Sequence, residues 1–259
     1  MTGCSLGRQP RGREDPLPRI VTYNVRNCRG RDRRILPERI AEVIAGCEPD
    51  VVALQELDVG RARTGHVDQA EAIARALGMQ MHFHPAMTVM EERYGDAILT
   101  MLPSRLERAA ALPGPAGAET RGALWASLSL GDTDLQVINT HLGLRGRERL
   151  PQVEALLGPD WLGAALRRGP TLLAGDFNAL PRSRAYRRLL GPLREARSFP
   201  QVGRPPPTFP AWWPLIRIDH VFAGPGVRIT RADTIASPLA RIASDHLPLV
   251  VDFEMEASP

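Results

Sequence analysis

The chain is 259 residues long, enough to bury a large core, and its formal net charge is only +4. Apolar residues make up 43% and charged residues 24% of the chain, as in an ordinary globular protein. All 33 basic residues are arginine, which suits phosphate binding, although a general preference for arginine over lysine is the simpler explanation. A charge this small is not the signature of a nucleic-acid-binding protein.

Cellular location is indicated only indirectly. Cys4, Cys28 and Cys47 are odd in number and widely spaced, so they predict neither a disulfide framework nor a zinc site and favour a reducing compartment. Residues 1–17 are rich in Gly, Pro and Arg and contain no apolar stretch, so we predict a disordered lead-in and expect no signal peptide. We expect a cytoplasmic monomer, with peripheral membrane contact as an open alternative.

The predicted elements begin as alternating strands and helices and become mostly strands. Strands are predicted at residues 19–25, 51–55, 96–101, 123–130, 135–140, 171–174, 218–222, 227–232 and 247–253, and helices at residues 37–46, 67–77, 147–157 and 161–168. The proline-rich stretch 199–214 is predicted to be an irregular loop with a functional role. No linker divides the chain, so residues 18–255 are predicted to form one α/β domain of two packed sheets with helices outside.

Polar side chains recur at the ends of these strands. They are Asn24, Glu56, His141, Asp176, Asn178, Asp219, Asp245 and His246. A single polar residue after a strand is usually a turn or cap residue, or a hydrogen-bonded structural one. Six such places on strands that can share a sheet edge instead predict one convergent polar site.

The chemistry of this set favours a hard metal ion and phosphate. Carboxylates and amides without a cysteine cluster suit Mg²⁺, with Mn²⁺ as a second choice, better than zinc. The adjacent pairs Asp219-His220 and Asp245-His246 offer groups for proton transfer. Neither a phosphate-binding Walker loop nor a Gly-x-Ser-x-Gly elbow is present, so we predict metal-assisted attack of water on phosphorus.

Six short motifs, in order along residues 19–253, resemble the endonuclease/exonuclease/phosphatase superfamily. They are Thr22-Tyr23-Asn24-Val25, the segment from Asp50 to Glu56, Asn139-Thr140-His141-Leu142, Gly175-Asp176-Phe177-Asn178-Ala179, Ile218-Asp219-His220-Val221-Phe222 and Ser244-Asp245-His246-Leu247-Pro248. The resemblance implies a four-layer α/β/β/α sandwich of the DNase I-like fold, with the site at one edge of the paired sheets.

The resemblance also implies individual roles. The implied metal ligands are Asn24, Glu56 and Asp245, and the implied catalytic residues are His141, Asp176, Asn178, Asp219 and His246. In this scheme Asp219 holds His246, while Asp176 positions the attacking water. Asn178 donates to the phosphate, and His141 stabilises the phosphate or aids the leaving oxygen.

Two further residues have open roles, and one family feature is missing. Asp96 either orients His141 or is a turn residue at the start of a strand. Arg121 contacts a buried acid or the phosphate, or serves the structure alone. In residues 98–103 an arginine common in the family is absent, so the resemblance does not assign the substrate.

Two substrate classes remain. We expect hydrolysis of a phosphodiester or phosphomonoester of a lipid head group or other small molecule; the alternative is an Mg²⁺-dependent DNA or RNA nuclease. The arginines of residues 26–34 would follow a nucleic-acid backbone or form a solvated loop. Trp212 and Trp213 are predicted to overhang the site as a substrate wall, or else to anchor the loop from beneath.

Overall fold

The computed structural model describes residues 17–89 and 92–256. The lead-in predicted at residues 1–17 therefore lies outside the described residues, except for Leu17. None of the helices in the described ranges is both long and apolar enough to cross a membrane.

Twelve strands and six α-helices make up the regular structure of the described residues. The strands are β1 Arg19–Asn24, β2 Val51–Val59, β3 Gln80–Val89, β4 Glu92–Thr100, β5 Ser104–Ala111, β6 Gly122–Leu130, β7 Thr133–His141, β8 Thr171–Asp176, β9 Arg194–Glu195, β10 Asp219–Ala223, β11 Val227–Thr234 and β12 Leu249–Met255. The helices are α1 Pro37–Ala45, α2 Gln69–Leu77, α3 Gly146–Leu157, α4 Leu162–Arg168, α5 Arg184–Leu189 and α6 Ala240–Ala243.

The strands form two six-stranded sheets. The first has the order β11-β12-β1-β2-β4-β3, and the second has the order β5-β6-β7-β8-β10-β9. Strands β1 and β2 are parallel neighbours in the first sheet, and β7 and β8 are parallel neighbours in the second. Both parallel pairs lie near the middle of their sheets, so their carboxyl ends meet at one edge of the sandwich.

Alternation of side chains along the central strands builds four layers. Val52 and Leu54 pack against α1 and α2, whereas Val51 and Ala53 point into the core between the sheets. On the second sheet, Leu173 faces the core under α3, α4 and α5. Three separate apolar cores thus confirm the predicted α/β/β/α sandwich.

The strands that the sequence failed to predict lie at the sheet edges. β3 and β5 each end one of the two sheets, and both are only partly buried. β3 contains Pro85 at an irregularity in its pairing with β4, and β5 is rich in Arg and Ala, so neither has the apolar pattern of an interior strand. The short elements β9, α5 and α6 were also missed.

A buried polar contact joins the two sheets below the site. Asn139 of β7 donates two hydrogen bonds from Nδ2 to the first sheet, to Leu54 O at 2.8 Å and Ala97 O at 2.9 Å. Its Oδ1 accepts a 2.8 Å hydrogen bond from Gln55 Nε2, which also donates to Thr22 Oγ1 at 3.1 Å. An amide in an apolar core is stabilising only when its groups are paired, so this network fixes how the sheets face one another.

We therefore expect Asn139→Ala to lower the free energy of unfolding by about 2–3 kcal/mol, because it leaves buried partners without a donor or acceptor. Thr133→Ala, an exposed change on the same strand, is the control and should cost less than about 0.5 kcal/mol. Urea unfolding measures both. Equal stability of the two variants would show that the sheets do not depend on this amide.

Candidate active site

The register of three adjacent strands brings three predicted residues side by side. His141 pairs with Asp176 across β7 and β8, and Asp176 pairs with Asp219 across β8 and β10. Gly175 permits the close approach of β7 and β8: its φ is +147°, and a Cβ there would lie 1.9 Å from Thr140 O. The glycine in the Gly-Asp-Phe-Asn motif is therefore a requirement of the backbone beside the site.

Glu56 reaches the same edge through a bulge in β2. Its φ is +62°, and between Leu54 and Leu57 the strand holds one residue more than its partner β4. The extra residue redirects the Glu56 side chain toward the cavity described below. The carboxylate of Asp96, which is fully buried, accepts the backbone N–H of Glu56 and thereby helps to hold the bulge.

This contact corrects the role that Asp96 had in one of the sequence interpretations. Asp96 holds Glu56, whereas the Nδ1 of His141 faces Arg121. Burial raises the pKa of Asp96 to about 8, and Arg121 and the Glu56 backbone N–H oppose the rise.

Asn24 connects the two carboxylates that lie on opposite sheets. Its Nδ2 donates to Glu56 Oε1 at 3.0 Å and to Asp176 Oδ2 at 3.0 Å. Its Oδ1 accepts the backbone N–H of Arg26 at 3.1 Å. Asn24 is thus a hydrogen-bonded bridge across the site in this structure, and its role as an oxygen ligand of a metal stays a prediction.

His246 forms an ion pair with Asp219, as the resemblance implied. The Nδ1 of His246 lies 3.0 Å from Asp219 Oδ2, and its Nε2 lies 3.8 Å from Asp176 Oδ2. Burial lowers the pKa of His246, but Asp219 and then Asp176 outweigh it and raise the pKa to about 10. His246 is therefore an imidazolium at neutral pH. The hydroxyl of Ser244 donates to Asn24 O at 2.8 Å and ties this loop to β1.

His141 is neutral, and Arg121 selects its tautomer. Arg121 Nη1 lies 2.9 Å from Nδ1 of His141, and since a guanidinium only donates, Nδ1 accepts and the proton is on Nε2. Nε2 lies 3.4 Å from Asp176 Oδ2. Burial, followed by the charges of Arg121 and His246, holds the pKa of His141 well below its ordinary value. The sequence interpretation considered a buried acid, the phosphate or a structural role for Arg121. In the structure Arg121 contacts His141 and, at 3.2 Å, the exposed carboxylate of Glu119.

Asp176 is at the centre of the group. Its Oδ1 accepts the backbone N–H of Asn178 at 2.8 Å, which the φ of +47° at Asn178 makes possible. Burial and the nearby Asp219 raise the pKa of Asp176 to about 7, while His246 and Asn24 oppose the rise. Asn178 Nδ2 donates to Leu142 O at 2.9 Å and lies 3.2 Å from Nε2 of His141, so the amide of Asn178 is held beside this histidine.

A cavity of about 720 Å³ opens onto these groups. It is lined by Glu56, His141, Asp176, Asn178, Asp245 and His246 on the polar side, and by Leu144, Arg149, Leu180, Arg182, Ser183, Phe209, Ile216 and Ile218 elsewhere. The sequence interpretation missed the second set except Phe209, whose segment Thr208-Phe209-Pro210 the family resemblance placed at the wall of the site. Apolar side chains on loops have no distinctive pattern, although Leu144 and Leu180 each follow a predicted site residue within three positions.

Two sets of ligand atoms in the site could hold a divalent cation. Glu56 and Asp245 both line the cavity, and burial raises the pKa of Glu56, so a cation beside it would offset an unfavourable charge. The other set is Asp176, Asp219 and His246, whose ligand atoms lie within 4.8 Å of one another. His246 already donates to Asp219, and an imidazolium does not bind metal, so the Glu56 side fits Mg²⁺ or Mn²⁺ better.

Three residues that the sequence placed near the chemistry lie elsewhere. His220 is buried on the helix side of β10, 2.8 Å from Ala179 O through Nε2, and takes no part in the site. Trp212 and Trp213 are 45% and 68% exposed and do not line the cavity, so they are neither its wall nor an anchor beneath the loop. Phe209 and Ile216 form the wall from the same loop.

Comparison with known proteins identifies the family of this chain. The model of the endonuclease/exonuclease/phosphatase family matches residues 21–246. The chain belongs to this family. Its members act as hydrolases on phosphate esters, and the family includes both phosphatases and nucleases.

Individual relatives of this endonuclease/exonuclease/phosphatase chain are distant. The uncharacterized protein YbhP of Escherichia coli is 25% identical over 92% of this chain and 96% of its own length. A family structure from Beutenbergia cavernae has a TM-score of 0.73 at 24% identity and covers 94% of this chain and 73% of that one. The mannosyl-6-phosphatase Bt3783 of Bacteroides thetaiotaomicron has a TM-score of 0.73 at 19% identity, covering 92% and 100%.

We expect Asp219→Asn to lower the pKa of His246 from about 10 by at least about two units. The substitution removes the anion that stabilises the imidazolium. Burial, which favours the neutral ring, then has a larger net effect on the pKa. NMR titration of the His246 ring measures the pKa, with Asp68→Asn, a change at the half-buried N-cap of α2, as the control. A His246 pKa that does not move would show that Asp219 is not its electrostatic partner.

Proposed function

We propose that this protein is a divalent-metal-dependent phosphoesterase that hydrolyses a phosphomonoester or phosphodiester of a small molecule or lipid head group by metal-assisted attack of water. One observation carries the proposal: a neutral histidine, a histidinium and two carboxylates from different strands face one cavity. His141 and His246 lie 3.4 Å and 3.8 Å from the same oxygen of Asp176, and Asn24 links that oxygen to Glu56.

The protonation states assign different tasks to these groups. Asp176 has a pKa of about 7, so at neutral pH a large share of it is ionised and able to accept a proton from attacking water. His246 is charged, and its Nε2–H faces the same space, where it stabilises negative charge on the phosphate oxygens. The neutral His141 can donate a hydrogen bond from Nε2–H to the phosphate without adding a charge to the site.

The residues that would hold the metal are Glu56 and Asp245, with Asn24 beside them. When bound, Mg²⁺ or Mn²⁺ supplies Lewis-acid polarisation of a phosphoryl oxygen and neutralises the crowded carboxylates. Arg26 Nε lies 3.3 Å from Asp245 Oδ2 on the exposed side, so this arginine restrains Asp245 at the cavity mouth.

The opposite wall supports a small or lipid-derived ester. Leu144, Leu180 and Ile216 are exposed large apolar side chains, and all three line the cavity. An apolar wall beside a phosphate site suits the carbon skeleton of an ester better than a hydrated nucleic-acid backbone. The resemblance to a mannosyl-6-phosphatase supports the same substrate class.

A nuclease is the second candidate, and one observation favours it. Trp212 is exposed, and the guanidinium of Arg31 lies 5.2 Å from its ring centroid. An exposed tryptophan beside arginine is a surface on which nucleic-acid bases stack.

A substrate panel tests the proposal. It comprises bis(p-nitrophenyl) phosphate, p-nitrophenyl phosphate, phospholipid vesicles, inositol phosphates and oligonucleotides, each with Mg²⁺, with Mn²⁺ and after chelation. We expect metal-dependent hydrolysis of the small or lipid esters, lost by at least about a hundredfold in kcat in Glu56→Gln. Glu38→Gln removes an exposed acid of α1 and is the matched control. Full turnover after exhaustive chelation contradicts the metal requirement, and turnover confined to oligonucleotides selects the nuclease.

A further inference from the structure

A second cavity adjoins the catalytic one. Its volume is about 590 Å³, and it is lined by Leu180, Pro181, Arg182, Arg197, Gly203 and Arg204. Leu180 and Arg182 also line the catalytic cavity, so the two spaces share a wall. The two cavities are therefore adjacent, on either side of these two side chains.

The second cavity carries positive charge without a matching acid. Three of its lining residues are arginines, and none is Asp or Glu. Arg182 and Arg204 are exposed, and no hydrogen bond or ion pair of their side chains joins them to another described residue. Their guanidinium groups are free to bind an anion in bidentate fashion.

The third arginine is held in place while keeping most of its charge available. The guanidinium of Arg197 lies 5.2 Å from the ring centroid of Tyr186, and its Nε lies 3.8 Å from Glu195 Oε2. Glu195 is already engaged, because Arg217 lies 3.0 Å from its Oε1 and Tyr186 donates to its Oε2 at 3.0 Å. Arg197 is therefore positioned by packing and is only weakly neutralised.

The distance from the chemistry suits a small molecule. Arg182 follows Asn178 by four residues, so their Cα atoms are at most about 14 Å apart even in an extended chain. Both residues line the catalytic cavity, and Arg182 also lines the second one. A sugar or nucleoside with two phosphates has this reach.

We propose that the cavity of Arg182, Arg197 and Arg204 binds a second phosphate group of the substrate, so that the preferred substrate is a phosphate ester carrying at least one more phosphate. The inference rests on the proposed function, because the first phosphate occupies the catalytic cavity. The second phosphate adds affinity without taking part in the bond cleavage.

Calorimetric binding tests this subsite independently of turnover. The full chain carrying Asp176→Asn, which removes the proposed base, is titrated in Mg²⁺ with two matched pairs of probes. One pair is thymidine 3′,5′-bisphosphate and thymidine 3′-monophosphate, and the other is glucose 1,6-bisphosphate and glucose 6-phosphate. We expect the bisphosphate of at least one pair to bind at least about tenfold more tightly than its monophosphate, the scale of one charge-assisted contact.

The double variant Arg182→Ala/Arg204→Ala should bring the ratio of bisphosphate to monophosphate affinity close to one. Arg187→Ala, which removes an exposed arginine of α5 that lines neither cavity, should leave the ratio unchanged. A preference confined to the nucleotide pair or to the sugar pair identifies the source of the second phosphate, and both outcomes support the subsite.

Two results overturn the subsite. One is equal binding of bisphosphate and monophosphate in both pairs, and the other is an equal loss in Arg187→Ala, which would mean general attraction to a basic surface. Neither bears on hydrolysis, because the substrate panel with the wild-type chain measures that separately.

Discussion

The side-chain amide of Asn139 is the contact on which the position of the site depends. It spans the two sheets, with Nδ2 bonded to Leu54 O and Ala97 O and Oδ1 bonded to Gln55. Gln55 directly precedes Glu56, Ala97 directly follows Asp96, Leu54 lies two residues before Glu56, and Asn139 itself lies two residues before His141. This paired amide belongs to a small buried polar network with Gln55 and Thr22, and it helps to set the distance between the acid contributed by the first sheet and the histidine contributed by the second.

Above this contact the dominant physical constraint is crowding of carboxylates. Asp96, Asp176 and Glu56 all have raised pKa values, and burial is the leading cause in each case. The chain supplies partial compensation through His246, which is charged. A divalent cation beside Glu56, as proposed, would offset the remaining unfavourable charge.

The sequence predicted the polar half of the site because strand ends carry a recognisable pattern. His141 and Asp176 end buried strands and Asp219 begins one, and the structure places the three on neighbouring strands in register. The layer architecture also followed from the pattern of apolar strands and the family resemblance. The edge strand β3 did not, because Pro85 and its two histidines resemble a loop.

Other features depend on geometry that spacing does not reveal. The role of Asp96 was misjudged because the bulge at Glu56 shifts the register between β2 and β4, and a single extra residue cannot be seen in an apolar run. Trp212 was expected at the cavity because of its size and its loop, yet the smaller Ile216 occupies the wall. The arginines of the second cavity come from separate segments, so only the fold brings them together.

The central claim is that the Glu56 side of the site holds the metal. Asp176 accepts the proton of the attacking water, and His246, paired with Asp219, stabilises the negative charge of the phosphate. A crystal structure with Mn²⁺, located by its anomalous scattering, tests this directly. The account predicts a peak about 2.2 Å from a carboxylate oxygen of Glu56, the distance expected for oxygen ligands. A single peak bound by Asp176, Asp219 and His246, with none at Glu56, would contradict it.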